Sequence, residues 1–363
     1  MNRRLLRFLD WPLLLATLAL VAGGVLVLYS ATHAAGTGPA FVKTRVLHAV
    51  IGLIALAAAA AIDYRALARA WRPILIGTVV LLAVVDLIGR SALGAQRWIP
   101  LGPLGGFQPA ELAKLAIILA LAKLVESRET WSWSGVAGLL LVVAIPAGLI
   151  AQQPDLGTAL VLLAIFAVIL FVGGAPFRVM AALAGMAAAA APVLWGLLHD
   201  YQRTRLVVFL DPAVDPLGAG YALIQSKIAI GSGQLWGKGF LAGTQNLLHF
   251  IPEQHTDFIF TVIGEEFGFV GAMVMLGLFA VWLWRGIAIA AGAKDRLGRL
   301  LAVGVVAMVV FHLFVNVGMT VGLMPITGIP LPFISHGGTA LVMMLAATGL
   351  LLSIGMRRKK ILF

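Results

Sequence analysis

The sequence contains no cysteine, which excludes a disulfide framework and any thiolate chemistry. Charge is also scarce, since Asp, Glu, Lys and Arg make up 11% of the 363 residues while hydrophobic residues make up 61%. A soluble domain with this balance would expose far too much apolar surface to water. The composition therefore predicts an integral membrane protein.

The apolar residues are grouped into runs, and crossing a bilayer as a helix takes about 20 residues. We count ten such runs and predict an all-α integral membrane protein, folded as a single polytopic domain over residues 1–363. No A-x-A-like cleavage site ends the first run, so we do not interpret it as a cleaved signal peptide. The predicted spans start near Trp11, Val46, Arg72, Glu111, Gly135, Leu156, Phe177, Gly268, Leu300 and Gly338.

The basic residues give the chain a net charge of +11, but they lie at the ends of the apolar runs and form no nucleic-acid-binding patch. This placement indicates topology, because cytoplasmic loops carry an excess of Lys and Arg. We assign both Arg-rich termini to the cytoplasm, which an even number of spans allows, and most of the basic residues then lie on that side. Residues 199–267 then form a long extracytoplasmic loop between spans seven and eight, in which we predict re-entrant or amphipathic helices.

Charged groups in or near the spans are costly, so each of them is a candidate site residue. Glu111 and Lys114 are three residues apart on one helix face and can pair, which favours a structural role over a chemical one. Asp155 precedes span six, where a carboxylate more often caps the helix than catalyses a reaction. Arg203 and Arg205 lie near the membrane surface, where contact with lipid phosphates explains them as well as a site does.

The stretch "FIPEQHTDFIF" sets Glu253, His255 and Asp257 among large apolar side chains. Asp257 is followed by three apolar residues, so we expect it to enter an apolar region. Such a region raises the pKa of a carboxyl group toward the range useful for a general base. A salt bridge from Asp257 to Lys227 or to an arginine is the structural alternative.

Six segments in one order resemble the SEDS family of bacterial cell-wall proteins, and its elongation members more than its division members. They include "GAQRWIPLGPLGGFQPAELAKLA", "QQPDLGTAL", "FIPEQHTDFIFTVIGEEFGFVG" and "NVGMTVGLMPITGIPLPFISHGGTALV". His336 departs from the pattern, because the family usually has Tyr there. The resemblance implies a peptidoglycan glycosyltransferase of the bacterial plasma membrane. Such an enzyme polymerises lipid II, the undecaprenyl-pyrophosphate-linked disaccharide-pentapeptide, into glycan strands on the extracytoplasmic face.

The same resemblance implies roles for individual residues. Asp257 falls on the family's essential aspartate, and our hypothesis makes it the base of an inverting reaction. The basic candidates would stabilise the leaving pyrophosphate, while Trp98 and Phe258 would contact the sugar or the polyprenyl chain. The predicted substrate-binding residues are Trp98, Glu111, Lys114, Arg203, Arg205, Lys227, Glu253 and Ser335.

The resemblance also implies a divalent cation, magnesium or manganese, with Glu253 and Asp155 as candidate ligands, and no organic cofactor. The expected partners are lipid II, other elongation-complex proteins and a class B penicillin-binding protein, a transpeptidase that docks near spans eight and nine. Two other functions stay open: a lipid II flippase and a non-catalytic scaffold for the transpeptidase. A flippase would keep its polar groups near the bilayer midplane, whereas here they cluster on one side. Activity of the purified protein would separate an enzyme from a scaffold.

Overall fold

In the computed structural model the chain is mainly helical. The structure describes residues 8–33, 38–92, 95–100, 102, 105–248 and 250–358. The helices are α1 (Trp11–His33), α2 (Gly38–Ala61), α3 (Tyr64–Arg69), α4 (Trp71–Ile88), α5 (Pro109–Glu126), α6 (Trp133–Gln152), α7 (Leu156–Val172), α8 (Phe177–Leu197), α9 (Asp200–Leu210), α10 (Ala219–Ser232), α11 (Thr244–Leu247), α12 (Ile259–Glu266), α13 (Gly268–Ala291), α14 (Arg296–Val321) and α15 (Gly338–Met356). The strands are β1 (Arg90–Ala92), β2 (Ala95–Pro100) and β3 (Gly106–Phe107), and a 3-10 helix covers Pro212–Val214.

Helices α1, α2, α4 to α8 and α13 to α15 overlap the ten predicted spans. Within the described residues, seven of them are long and apolar enough to cross a membrane, namely α1, α2, α6, α8 and α13 to α15. Helix α7 is apolar but has only 17 residues. The all-α membrane fold is thus confirmed, whereas the number of spans stays a prediction. The Arg-rich terminal residues 1–7 and 359–363, assigned to the cytoplasm, lie outside the described residues.

Two predicted span starts were wrong, because we placed them directly after a charged residue, Arg45 in one case and Arg299 in the other. Helix α2 begins at Gly38 and not near Val46, so Arg45 lies inside the helix. Its charge is accommodated there by backbone carbonyls of another loop. Helix α14 begins at Arg296, because the Asp295 carboxylate accepts a hydrogen bond from Gly298 N at 2.8 Å and caps the first turn.

Helix α5 lies at the centre of the bundle and packs against α4, α6, α7, α14 and α15. Small buried side chains let these helices approach closely, since no bulky group separates their backbones. On α5 they are Ala110, Ala113, Ala116, Ala120 and Ala122. The charged residues of α5 are therefore held in the middle of the protein.

The ends of the helices meet through ion pairs at the side predicted to be cytoplasmic. Arg285 of α13 pairs with Asp10 before α1 at 2.6 Å, and Arg65 of α3 pairs with Asp295 before α14 at 2.6 Å. Arg296 donates to the carbonyl of Gly173, after α7, at 2.6 Å. The connections between helices that the even-span topology assigns to the cytoplasmic side are thus in contact with one another at one end of the bundle.

The opposite helix ends carry irregular structure. The segment after α4 forms a small antiparallel sheet in the order β1-β2-β3, in which Trp98 lies opposite Arg90 and Ile99 lies opposite Phe107. Between α8 and α13 the chain forms the short helices α9 to α12. The helical character expected for 199–267 is present, while its position outside the membrane stays a prediction.

Candidate active site

Asp257 lies in the segment between α11 and α12 and is half-buried. Asn316 of α14 donates from Nδ2 to the carbonyl oxygen of Asp257 at 2.9 Å and to that of Ile329 at 2.8 Å. One buried amide thus joins the Asp257 segment to the loop between α14 and α15. Sequence reasoning missed Asn316, although an amide in an apolar span is itself a signal.

The same loop holds the Asp257 segment at two further points. Ser335 accepts a hydrogen bond from Leu331 N at 2.8 Å and donates from Oγ to the carbonyl of Thr256 at 2.6 Å. His336 N donates to the carbonyl of His255 at 2.9 Å. The Ser335 hydroxyl, predicted to bind substrate, is therefore engaged by backbone and positions the residue before Asp257.

Asp257 and Arg205 both face Gly328. A Cβ atom built on Gly328 would lie 3.3 Å from Asp257 Oδ2 and 3.9 Å from Arg205 Nη1, and the φ of Gly328 is +72°, which favours glycine. Within the described part of the chain Asp257 forms no ion pair at 4 Å or less. The geometry therefore does not support the structural alternative, a salt bridge from Asp257 to Lys227 or to an arginine.

Burial raises the pKa of the Asp257 carboxyl group to about 6. The guanidinium of Arg205 acts against this shift and the nearby carboxylates of Glu253 and Asp155 act with it by like-charge repulsion, and the pKa of about 6 includes all of these effects. Desolvation is thus the main cause of the raised pKa, while the expectation that Asp257 enters an apolar region stays a prediction. A carboxyl group with this pKa is ionised at neutral pH and still takes a proton readily, as a general base must.

Asp155 is the N-cap of α7, as predicted. Its Oδ1 accepts from Thr158 N and its Oδ2 from Thr158 Oγ1, both at 3.0 Å. Gln108, before α5, donates to Asp155 Oδ2 at 3.3 Å, and Arg97 of β2 donates to the carbonyl of Gln153 at 2.6 Å. Gln108 and the small sheet thus hold the segment between α6 and α7 in place.

Among the basic candidates Arg205 lies near Asp257, whereas Arg203 and Lys227 make contacts elsewhere. Arg203 donates to the carbonyls of Trp195 at 3.1 Å and Gly196 at 2.8 Å, at the end of α8. Lys227 is exposed and its amine lies against Gly322, where a Cβ atom would overlap it. Arg205 is the basic residue that acts on Asp257 electrostatically.

Glu111 and Lys114 form the predicted buried pair, with 2.7 Å between Lys114 Nζ and Glu111 Oε1. A third group was missed: His312 of α14 places Nε2 3.0 Å from the same amine, and its Nδ1 lies 2.7 Å from the carbonyl of Met308. All three side chains are almost fully buried. The signal for His312 was a single imidazole in the apolar run "VVAMVVFHLFV". This cluster joins α5 to α14, and Lys114 is occupied there.

The remaining candidates have local roles. Trp98 is half-buried, with its ring against Gly106 of β3. Glu253 accepts from Thr256 Oγ1 at 3.2 Å and shapes the turn before Asp257. Phe258, expected to contact substrate, is instead a buried member of a small apolar cluster with Leu223, Ile251 and Ile326.

This chain is a multi-pass helical membrane protein with a desolvated carboxyl group and an arginine facing each other at one end of its bundle. Comparison with known proteins defines it more closely. The family model described as cell cycle protein, which covers FtsW, RodA and SpoVE, matches residues 10–360. The chain therefore belongs to this family, the SEDS family suggested by its motifs.

Two relatives match nearly the whole chain. The peptidoglycan glycosyltransferase MrdB of Escherichia coli strain K12 is 42% identical over 357 residues, which are 97% of this chain and 94% of the relative. The peptidoglycan glycosyltransferase RodA of Treponema pallidum is 35% identical over 96% of this chain and 98% of its own length. The chain is thus RodA-like in sequence.

Solved structures have the same fold. The crystal structure of the rod shape determining protein RodA of Thermus thermophilus matches with a TM-score of 0.74 and 34% identity, over 97% of this chain and 98% of that chain. A chain from a peptidoglycan synthase complex, described as coordinating polymerization and crosslinking, matches with a TM-score of 0.83 and 36% identity, over 96% of this chain and 98% of that chain.

Proposed function

We propose that this chain is a peptidoglycan glycosyltransferase that polymerises lipid II into glycan strands for cell elongation. The observation that carries the proposal is Asp257, a half-buried carboxyl group with a pKa of about 6 and Arg205 beside it. Other acids of the interior are held by a protein partner, as Glu111 is by Lys114 at 2.7 Å and Asp155 by Thr158 at 3.0 Å, whereas Asp257 forms no ion pair within 4 Å among the described residues. The activity named for MrdB and RodA relatives supports the same conclusion.

The reaction needs a base on the acceptor side. The donor sugar is α-linked to pyrophosphate and the product linkage is β, so the anomeric carbon inverts in one displacement. Asp257 removes the proton from the acceptor 4-hydroxyl while that oxygen attacks the anomeric carbon and the pyrophosphate leaves. The carboxyl group is then protonated and returns its proton to water.

The departing pyrophosphate gains negative charge, which a preorganised cation stabilises. Arg205 is the best candidate, because its guanidinium shares the space around Gly328 with Asp257 and can bind two phosphate oxygens. Arg203 and Lys114 fit this role less well, since their side chains are bonded to other protein groups. Lys227 stays a candidate for the outer part of the substrate.

An apolar groove supports binding of a substrate that remains anchored in the bilayer. The groove has a volume of about 350 Å³ and lies between α1 and α13, with Ile263 and Ile334 in its wall. Ile334 adjoins Ser335, whose hydroxyl contacts the Asp257 segment. A polyprenyl chain in this groove would bring its pyrophosphate to Asp257. In the proposed topology Asp257 lies on the extracytoplasmic face and both termini of the protein lie in the cytoplasm.

A transpeptidase partner is part of the proposal, since one solved relative belongs to a complex that polymerises and crosslinks. A second apolar groove, of about 310 Å³, lies between α13 and α14 and is lined by Leu276, Leu313, Phe314 and Val317. Because its lining is apolar, this groove can accommodate the apolar face of one further membrane helix. We assign it to the transmembrane helix of a class B penicillin-binding protein, at predicted spans eight and nine.

A divalent cation, magnesium or manganese, enters the proposal only as a companion of the substrate's phosphates. The described residues contain no group of three His, Cys, Asp or Glu side chains that could hold a metal ion. Glu253 and Asp155 therefore do not complete a protein site, and magnesium bound through one or two carboxylates takes its other ligands from phosphate and water. The proposed proton removal by Asp257 and the proposed binding of pyrophosphate by Arg205 do not involve the divalent cation.

The test uses the purified chain, with and without its cognate transpeptidase, incubated with lipid II and a divalent cation. Glycan strands are separated on a gel for the native chain, for Asp257→Asn and for the matched control Asp200→Asn. Asp200 is fully exposed in a helix that follows α8. We expect polymer from the native chain and from the control, and none from Asp257→Asn at equal folded protein.

Each other outcome points to a different function. Polymer from Asp257→Asn would remove Asp257 as the base and leave it a structural acid. No polymer from any variant, even with the partner, would favour the flippase or the scaffold. Lipid II transport into proteoliposomes would then separate these two.

A further inference from the structure

Arg45 of α2 is a buried cation whose hydrogen-bond partners are backbone carbonyls. Its side chain is 1% exposed, Nη1 donates to Ser335 O at 2.8 Å and Nη2 donates to Phe333 O. Nε has no hydrogen-bond partner, and across the described residues no carboxylate lies within 4 Å of the guanidinium. A buried unpaired charge is costly in a membrane protein, so it marks a functional constraint.

The loop that Arg45 holds has a strained backbone. Phe333 has a φ of 63°, in the left-handed region that residues with a side chain avoid. Its ring centroid lies 5.9 Å from that of Trp282 and 6.4 Å from that of Phe279, both on α13. Ring packing on one side and the Arg45 hydrogen bond on the other keep Phe333 in this conformation.

Helix α1 leaves space for this contact. A Cβ atom on Gly24 would lie 2.6 Å from the carbonyl oxygen of Phe333 and 3.1 Å from Nη2 of Arg45. Any side chain at Gly24 would push the guanidinium or the loop away. Helices α1 and α2 and the loop between α14 and α15 therefore pack together around the cation.

Ser335 connects this contact to the base. Its carbonyl is held by Arg45, and its hydroxyl donates to the carbonyl of Thr256, the residue before Asp257. We propose that Arg45 is a positioning residue for glycosyl transfer, which holds the loop carrying Ser335 and thereby orients the carboxylate of Asp257. The proposal rests on the proposed function, in which Asp257 is the base.

The first experiment compares Arg45→Met, Arg45→Lys and Ser335→Ala with the control Arg285→Met, which removes the ion pair to Asp10 at the other end of the bundle. We expect kcat for lipid II polymerisation to fall on the order of 100-fold in Arg45→Met, because a misplacement of about 1 Å has that effect. Arg45→Lys keeps one donor and should lose less. KM should change by less than about twofold, since Arg45 does not touch substrate.

Two readouts exclude a merely structural role. Arg45→Met and Ser335→Ala should be non-additive in kcat, because both act on Asp257 through one hydroxyl. Hydrogen exchange needs no catalysis: the amides of Thr256 and Asp257 are hydrogen-bonded at 3.1 Å. We expect them to exchange about tenfold faster in Arg45→Met, and at the native rate in Arg285→Met.

The outcomes distinguish failure of this inference from failure of the proposed function. Native exchange rates in Arg45→Met, or additive effects with Ser335→Ala, would overturn the positioning role. If Arg45→Met does not fold, Arg45→Lys provides the test. A kcat and an exchange rate between the native values and those expected for Arg45→Met would support the positioning role, and native values would overturn it. Polymerisation by Asp257→Asn together with faster exchange in Arg45→Met would instead remove Asp257 as the base while leaving the physical link intact.

Discussion

At the scale of single residues, the pKa of Asp257 is set by opposing effects. Burial and the carboxylates of Glu253 and Asp155 raise it, and the guanidinium of Arg205 lowers it, with a result of about 6. Burial wins because Arg205 and Asp257 face the same space around Gly328 without forming an ion pair. That space between a base and a cation is what a sugar pyrophosphate and an acceptor hydroxyl require.

Polymerisation should therefore depend on pH through Asp257. The base is active when ionised, so kcat should be full well above pH 6 and fall about tenfold per pH unit below it. Arg205→Gln removes the cation that lowers this pKa, so the decline should begin at higher pH. His336→Gln is the control, because burial lowers the pKa of His336 to about 4 and its titration lies outside this range. A pH profile of kcat unchanged by Arg205→Gln would contradict the assignment.

The same carboxyl group should make the protein less stable than it could be. The pKa of Asp257 is 3.8 in the unfolded chain and about 6 in the folded one, so stability is lost as pH rises from about 4 to about 6. Asp257→Asn should be more stable than the native chain by about 1–3 kcal/mol at pH 8, with the difference shrinking toward pH 4. Thermal unfolding in detergent at several pH values measures this. Asp200→Asn, exposed in the native chain, should show no such trend.

Sequence reasoning located Asp257, the proposed base, but missed Asn316 and Arg45, which hold the surrounding segments. Asp257 stood out because acids are rare in this chain and this one precedes an apolar run. Arg45 was missed because its partners are carbonyls, which every residue carries and no motif marks. Ser335 was predicted to bind substrate, which stays a prediction; its backbone contacts were not foreseen, since a hydroxyl that binds backbone and one that binds substrate look alike in a sequence.

At the scale of elements, the buried cluster of Glu111, Lys114 and His312 fastens α5 to α14. The Glu111–Lys114 pair was predictable because both residues lie on one helix, three positions apart. The link to His312 was not, since it spans 198 positions and depends on how two helices pack. The same limit applies to the sheet β1-β2-β3, whose short strands carry no periodic pattern.

Breaking this cluster should cost far more than removing it. Glu111→Gln leaves the Lys114 ammonium buried without its counter-charge, which costs about 3–5 kcal/mol. The double variant Glu111→Gln with Lys114→Met removes both charges and should recover most of that loss. Chemical unfolding of the three proteins in detergent measures the difference. Equal destabilisation by the single and the double variants would mean that the ion pair itself, and not an uncompensated charge, is what the fold needs.

At the scale of the whole molecule, helix positions followed from the lengths of the apolar runs, while helix ends depended on partners far along the chain. Asp295 extends α14 by capping it, and Arg45 extends α2 because a distant loop accepts its charge. The two ends of the bundle also differ in chemistry. Ion pairs such as Asp10–Arg285 join the helices at one end, and the Asp257 segment, the sheet and the loop 322–337 meet at the other.

This asymmetry predicts the orientation of the protein in the bilayer. Because the chain has no cysteine, single cysteines report accessibility without background. Asp200→Cys lies after α8 and Lys294→Cys lies between α13 and α14, and both positions are exposed. A membrane-impermeant maleimide added to intact spheroplasts should label Asp200→Cys and spare Lys294→Cys, because the basic ends of the bundle stay in the cytoplasm.

Permeabilised cells provide the control, since both cysteines should then react to the same extent. Labelling of Lys294→Cys alone in intact spheroplasts would invert the topology and put Asp257 on the cytoplasmic face. There it would meet lipid II before its export, and glycan strands made on that side could not join the wall. An inverted result would thus exclude the polymerase and favour a protein that moves the precursor, whereas the expected one places the base where the acceptor strand grows.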